Sequence, residues 1–247
     1  MADLITAFNE SFEVVPADSP ELLREVFHLR YQVYSEEGII PDFESWKYPD
    51  GLETDEFDHR SIHCLCRHRP SGQITGTVRM VLADLEDPLA PFPIEHHVGQ
   101  SFDPARVNPQ ALPRRQVGEI SRLMLTQRFR SRQGEVGFPD GVAQSLTFPE
   151  PEDRRRFPHS ILGLFVAISR MTTEHGLTHL YAAMEPRLAR LLRRFGIYFP
   201  SISPVVEYHG LRQCFLVVAA QVMDRIRRER PEVWELLTDR GRLRPGG

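Results

Sequence analysis

The feature that most constrains this chain is the order of its apolar segments, which alternate between the periodicities of strands and of helices. The segments that predict strands are residues 12–15, 62–67, 73–82, 116–126, 178–184, 197–209 and 211–222. The segments with helical spacing are residues 19–37, 160–175, 186–195 and 224–239. Chains with this order form a sheet with helices on both faces, so we predict an α/β or α+β fold.

Two long connections, residues 83–115 and 127–159, separate these segments. The first is rich in proline and the second in arginine, and loops of this length usually carry function or are disordered. A chain of 247 residues with 41% hydrophobic residues can bury a full core. We therefore predict one globular domain over residues 1–223, followed by a basic helical tail over residues 224–247.

The composition excludes several classes of protein. The net charge of −4 is small, so the whole molecule is not a nucleic-acid binder by electrostatics. No stretch reaches the roughly 20 apolar residues of a membrane span, and the N-terminus lacks the pattern of a signal peptide. The three cysteines lack the spacing of a zinc site and fit a reducing compartment. We therefore expect a cytoplasmic protein without a membrane segment or a bound metal.

Several charged residues lie in segments that are otherwise apolar. Arg30 lies in the first predicted helix and Arg79 in a predicted strand. Glu119 and Arg122 lie in the next strand. A buried guanidinium needs carboxylate partners, because a lone charge is costly to remove from water. The acids that could serve, in the loop after the first helix, are Glu53, Asp55 and Asp58. Taken alone, each of these charged residues is more often part of a structural ion pair than a catalytic group.

Together these residues follow the order of a family pattern. The motifs are LRxxVY at Leu29–Tyr34, ExDxFD at Glu53–Asp58, SxH at Ser61–His63, GxxR at Gly76–Arg79 and EISRL at Glu119–Leu123. This order resembles that of the autoinducer synthases, which make acyl-homoserine lactones. It is more similar still to that of the N-acyl amino acid synthases and the acyltransferases associated with the PEP-CTERM/exosortase system. The resemblance covers roughly residues 20–220 and depends on the order of the motifs, since no single one is specific.

The resemblance implies a fold and an activity. The fold would be the GNAT fold, a mixed and mostly antiparallel twisted sheet with helices on both faces and a splayed pair of central strands. The pantetheine arm of the acyl donor would lie between those two strands. The activity would be transfer of a fatty acyl group from a thioester to the amine of a small acceptor such as an amino acid.

The resemblance also implies roles for single residues. By position, it implies catalytic roles for Glu119, Arg122 and Asp58. The residues that it places in substrate binding are Arg30, Tyr34, Asp55, Arg79, Ser121 and Leu123. We expect Glu119 to be the base, because aminolysis of a thioester needs a neutral amine. Its alternative role is to orient Arg79 or Arg122. Strict alternation would place Glu119 and Arg122 on opposite faces, so either a bulge separates them or they serve different sites, and we favour the bulge.

The connection 127–159 is the predicted region for contact with the acyl donor. Its candidate residues, which loosely match the pyrophosphate-binding turn of CoA-dependent relatives, are Arg128, Arg130, Arg132 and Gly134. Its arginines, including Arg154–Arg156, suit an acidic acyl carrier protein as partner, although a solvated loop would have the same composition. We expect no separate cofactor, because the donor is either the carrier protein's phosphopantetheine thioester or acyl-CoA.

Two departures from the autoinducer synthases favour an amino acid or related amine over S-adenosylmethionine as acceptor. Their usual tryptophan after the first helix is replaced by the sequence Glu37–Ile40, and the connection 83–115 is longer than theirs. The alternatives left open are an acyl-homoserine lactone synthase, a CoA-dependent N-acetyltransferase and a GNAT-like binding module without catalysis. Acyl chain length, acceptor identity and oligomeric state are left open.

Overall fold

The computed structural model describes residues 3–36, 40, 43–130 and 159–246. Its strands, numbered β1 to β7 along the chain, are Phe12–Pro16, Ser61–His68, Gln73–Leu82, Val117–Leu125, His179–Met184, Ser201–Glu207 and Leu211–Val218. They form a seven-stranded sheet in the order β1-β2-β3-β4-β5-β7-β6. The β4–β5 pair is parallel, whereas β1–β2, β5–β7 and β6–β7 are antiparallel. This mixed sheet confirms the predicted fold class.

The α-helices of the described residues are α1 (Leu4–Ser11), α2 (Pro20–Tyr31), α3 (Pro93–Val98), α4 (Gln127–Arg130), α5 (His159–Glu174), α6 (Pro186–Leu192), α7 (Ala219–Glu229) and α8 (Pro231–Leu237). The start of α2 follows from its sequence, because the Ser19 side chain accepts a hydrogen bond from the backbone of Leu22 and Pro20 occupies the first turn. A π-helical turn at Gln32–Glu36 continues α2. None of the described helices is long and apolar enough to span a membrane.

The structure differs from the sequence-based prediction at four places described next. The prediction missed α1, which Asp3 caps by accepting from the backbone of Thr6, and it missed α3 in the connection 83–115. Strand β7 ends at Val218, not at residue 222. The prediction was too long because the apolar residues after Val218 continue the strand pattern in the sequence, although they form the first turn of α7. The helix predicted over residues 224–239 is two helices, since Pro231 has no backbone N–H to continue α7.

The chain divides into two compact units, each with its own core. Unit 1 consists of Met1–Asp55, His63–Val78 and Arg122–Ala167. Unit 2 consists of Glu56–Ile62, Arg79–Ser121 and Ile168–Gly247. One buried cluster of unit 1 is Ala17, Val26, Leu29, Val33, Leu65 and Met124. One buried cluster of unit 2 includes Val81, Phe92, Ile94, Val117, Tyr181 and Cys214. The boundary predicted at residue 223 stays a prediction.

Candidate functional site

A cluster of charged side chains in unit 1 surrounds the carboxylate of Glu53, and we call it the Glu53 cluster. Arg30 on α2 is fully buried and donates from Nε to Glu53. Arg122 on β4 donates from Nη2 to Glu53 Oε1 and to Asp55 Oδ2, each at 2.8 Å. The Arg122 guanidinium also lies over the ring of Tyr34, 5.7 Å from its centroid. The cluster therefore brings together four predicted site residues, Arg30, Tyr34, Asp55 and Arg122. Glu53, which links the two arginines, was predicted only as an ion-pair partner.

The charges of the Glu53 cluster determine the protonation states of its members. Burial alone would raise the pKa of Glu53, but Arg122 and Arg30 outweigh it and lower that pKa to about 2. Burial acts to lower the pKa of Arg122, whereas Tyr34, Glu53 and Asp55 together raise it well above its ordinary value. Glu53 is therefore a carboxylate and Arg122 a cation at neutral pH.

The regular pleat of β4 is interrupted at Arg122, although the strand continues to Leu125. Its φ of 51° lies in the left-handed region, which a non-glycine residue adopts at a cost of about 1 kcal/mol or more. The ion pairs of Arg122 with Glu53 and Asp55 offset this cost. A left-handed residue at this position departs from the regular pleat of a strand, and the bulge between Glu119 and Arg122 stays a prediction.

Acid should weaken the folded state through Glu53. The pKa of Glu53 falls from 4.5 to about 2 on folding, and this shift stabilises the folded state. Its contribution to the free energy of unfolding is fully present above pH 4.5 and is lost as the pH falls towards 2. At about 1.4 kcal/mol per pKa unit, the difference corresponds to about 3 kcal/mol. Urea unfolding at pH 7 and pH 3 should therefore show a larger pH dependence for the wild type than for Glu53→Gln. Equal pH dependence in the two proteins would contradict the ion pairing of Glu53.

A second group of predicted residues meets in unit 2 around Arg79. This guanidinium is almost fully buried on β3, and it donates from Nη1 to Asp58 Oδ1 at 2.8 Å. It also donates from Nε to the hydroxyl of Ser121 at 2.9 Å. The prediction that guanidiniums in apolar segments have carboxylate partners is thus confirmed for the buried Arg30 and Arg79 and for the partly buried Arg122.

Glu119, the predicted base, is also in unit 2. Its side chain is 3% exposed, and its Oε2 accepts a hydrogen bond from the backbone N–H of Ile94 at 2.9 Å. It lies opposite Tyr181 in the parallel ladder of β4 and β5, so the two side chains lie on the same face of the sheet. Glu119 is therefore a desolvated carboxylate held by a backbone donor.

The ladder between β4 and β5 covers only part of both strands. It runs from the pair Val117 and His179 to the pair Ile120 and Ala182, although β4 continues to Leu125 and β5 to Met184. Pairing therefore stops one residue after Glu119. This agrees with the expectation from the family resemblance that the two strands are not paired along their whole length.

Sequence reasoning missed a set of buried residues near Glu119. Arg114 and Glu95 form a bidentate ion pair, in which Arg114 Nη1 donates to Glu95 Oε1 at 2.6 Å and Arg114 Nη2 donates to Glu95 Oε2 at 2.8 Å. Both lie in the connection 83–115, for which the sequence predicts a proline-rich loop. A signal was available, because Pro93 and Glu95 stand in the first turn of α3 and Glu95 accepts from the backbone of Phe92.

Tyr181 was also missed, because a tyrosine in an apolar strand gives no functional signal. Its ring is fully buried, and its hydroxyl has no hydrogen-bond partner among the described residues. Burial, and then the nearby carboxylate of Glu95, raise its pKa, so the phenol stays protonated. The carboxylate of Glu95 is close enough to act on this hydroxyl, but the two do not form a hydrogen bond of good geometry, which is unusual for a buried tyrosine.

Removal of this hydroxyl should therefore not destabilise the protein. We expect Tyr181→Phe to leave the free energy of unfolding unchanged, or to raise it by up to about 2 kcal/mol, because the variant no longer buries an unsatisfied polar group. Urea denaturation at neutral pH measures the change. A loss of stability above about 1 kcal/mol would show that the hydroxyl makes a hydrogen bond in solution.

The remaining predicted site residues are only partly described. Leu123 is half-buried on β4, beyond the interruption at Arg122. Arg128 and Arg130 belong to α4, but their side chains lie outside the described residues, as do Arg132, Gly134 and Arg154–Arg156 altogether. The predicted contact of this region with the donor stays a prediction.

Residues 29–138 match the family model of the acetyltransferase (GNAT) domain. The mixed seven-stranded sheet has the architecture expected from that match. This chain has the GNAT fold. The part of the GNAT fold that the family model matches begins on α2 and includes the Glu53 cluster, the Arg79 group and Glu119.

Solved structures share this GNAT fold at low sequence identity. BjaI, a CoA-dependent acyl-homoserine lactone synthase with SAM and isopentyl-CoA, is 18% identical with a TM-score of 0.57, over 94% of this chain and 90% of BjaI. TofI, in a ternary complex with an inhibitor and MTA, is 17% identical with a TM-score of 0.56, over 87% of this chain and 96% of TofI.

FeeM, an N-acyl amino acid synthase from uncultured soil microbes, is a third such structure. It is 8% identical with a TM-score of 0.50, over 88% of this chain and 96% of FeeM. At these identities the likeness concerns the fold alone. No curated protein sequence matches this chain.

Proposed function

We propose that this protein is an N-acyltransferase that transfers a fatty acyl group from an acyl carrier protein to the amine of a small acceptor such as an amino acid. The observation that carries the proposal is Glu119, a buried carboxylate placed one residue before the β4–β5 ladder ends. The GNAT fold and the likeness to BjaI and FeeM support it.

Glu119 would remove the proton that blocks the reaction. An ammonium has no lone pair, so the acceptor amine must lose a proton before or during its attack on the thioester carbonyl. The new C–N bond then forms, the C–S bond breaks and the pantetheine thiol leaves. Glu119 takes one proton of the ammonium and releases it to solvent, and the second nitrogen proton, lost as the C–S bond breaks, protonates the leaving thiolate to the thiol. The oxyanion formed on the carbonyl needs backbone N–H donors, which strand ends without a ladder partner can supply.

The other predicted residues would bind the acceptor. From the family resemblance we propose catalytic roles for Arg122 and Asp58, and roles in substrate binding for Arg30, Tyr34, Asp55, Arg79, Ser121 and Leu123. Their ion pairs support this role, because paired guanidiniums and carboxylates are fixed in orientation before the substrate binds. Arg128, Arg130, Arg132 and Gly134 are proposed to meet the donor.

A second candidate follows from the likeness to BjaI, whose structure holds SAM and isopentyl-CoA. In that alternative the acceptor would be S-adenosylmethionine, the donor would be acyl-CoA and the product would be an acyl-homoserine lactone. The association with an exosortase system and the cytoplasmic location stay predictions from the sequence.

Lipid extracts of cells that express the protein test the proposal. Mass spectrometry should detect a new N-acyl amino acid in cells with the wild type, and the product should be absent in cells with Glu119→Gln at equal protein level. Detection of an acyl-homoserine lactone would favour the second candidate. The absence of any new N-acyl species would contradict both.

A further inference from the structure

Two arginine side chains, Arg60 and Arg114, hold one segment of unit 2 by its backbone. Arg114 donates from Nε to the carbonyl of Pro88 at 3.1 Å and from Nη2 to the carbonyl of Ala90 at 3.0 Å. Arg60 donates from Nη2 to the carbonyl of Pro91 at 2.6 Å. Three carbonyls within four residues are thus fixed by guanidinium donors, so this stretch of a proline-rich loop has a defined path.

The same two arginines fix the beginning of α3. Their guanidinium carbons lie 5.5 Å (Arg60) and 4.8 Å (Arg114) from the ring centroid of Phe92, which is fully buried. Glu95 accepts from the backbone N–H of Phe92 at 3.0 Å while it pairs with Arg114. Side chain and backbone of Phe92 are therefore both held.

This anchored turn contacts the carboxylate of Glu119. Ile94, which is fully buried, donates its backbone N–H to Glu119 Oε2 at 2.9 Å. Burial lowers the pKa of Arg60, while the carboxylates of Asp84 and Glu119 act against that effect. A shift of the segment 88–94 would move the donor that orients Glu119.

We propose that Arg60 and Arg114 are positioning residues for Glu119, which act through the segment 88–94 and the N–H of Ile94. The proposal rests on the proposed function, in which Glu119 is the base. Neither arginine needs to touch the substrate. Their effect is to keep the carboxylate in one orientation, and a misplacement of about 1 Å can cost about 100-fold in rate.

Amide hydrogen exchange measured by NMR tests the structural half of this proposal. We expect the Ile94 amide to exchange at least about 10-fold faster in Arg60→Met and in Arg60→Lys than in the wild type, because lysine keeps the charge but lacks the forked donors. Arg114→Lys repeats the test at the more buried position. Arg115→Met is the matched control, since Arg115 is exposed beside Arg114. Exchange at Ile94 equal to that of the control would overturn the proposal.

Steady-state kinetics test the catalytic half on the same proteins. We expect kcat to fall about 10- to 100-fold in the Arg60 variants with the KM for the acyl donor changed less than about 2-fold. A normal kcat in Arg60→Lys would show that charge alone matters and would overturn the proposal, as would faster exchange with unchanged kcat. If the wild type transfers no acyl group, the proposed function fails, and the exchange result alone decides whether Arg60 fixes Ile94.

Discussion

Replacing Glu119 by glutamine is expected to lower the rate of acyl transfer by about 10²- to 10⁴-fold while the protein stays folded. The amide keeps the shape of the side chain and an oxygen that can accept from Ile94, but it cannot take a proton from the amine. Thermal unfolding and acyl transfer should be measured on the same preparation, so that loss of activity can be separated from loss of structure.

Glu86→Gln is the matched control for this variant, because Glu86 is an exposed glutamate of the same unit. Its activity and stability should equal those of the wild type. Normal turnover in a stable Glu119→Gln protein would rule Glu119 out as the base and leave Asp58 or a water chain in that role. Activity that falls only in proportion to stability would show that Glu119 has a purely structural role.

Replacing Arg30 by alanine is expected to destabilise the protein by about 3 to 5 kcal/mol. Arg30 is fully buried and pairs with Glu53, which is 2% exposed, so the variant leaves a buried carboxylate with one of its two arginine partners missing. Urea denaturation at neutral pH measures the change, and activity should fall together with the folded fraction.

Arg24→Ala provides the comparison, since Arg24 is exposed on the same helix. Its free energy of unfolding should stay within about 0.5 kcal/mol of the wild type. An Arg30→Ala protein as stable and as active as Arg24→Ala would show that the Glu53 cluster contributes nothing to the fold.

The sequence predicted the charged clusters because of one physical constraint. A guanidinium in an apolar segment must have a partner when the segment is buried, and the acids of the loop after the first helix, Glu53, Asp55 and Asp58, were the candidates. Helical and strand periodicity then placed Arg30 on α2 and Arg79 on β3. Alternation predicted that a bulge separates Glu119 from Arg122 or that the two serve different sites, and the left-handed φ of Arg122 is a departure from the regular pleat.

The sequence could not show which acid pairs with which arginine, because this depends on packing between segments far apart in the chain. Glu53 contacts both Arg30 and Arg122, which are 23 and 69 residues away. The connection 83–115 was interpreted as irregular because prolines interrupt its periodicity, although Pro93 and Glu95 mark a helix start. Its hydrogen bond to Glu119 is made by the backbone N–H of Ile94, and a backbone group has no residue-type signature.

The measurement that tests N-acyl transfer most directly is a reaction of the purified protein with acyl carrier protein carrying a fatty acyl thioester and a mixture of amino acids. Free thiol and N-acyl amino acid should appear in equal amounts with the wild type, and both should fall about 10²- to 10⁴-fold with Glu119→Gln. Wild-type protein that is folded and releases neither thiol nor N-acyl product, with acyl carrier protein or with acyl-CoA as donor, would contradict the proposed function.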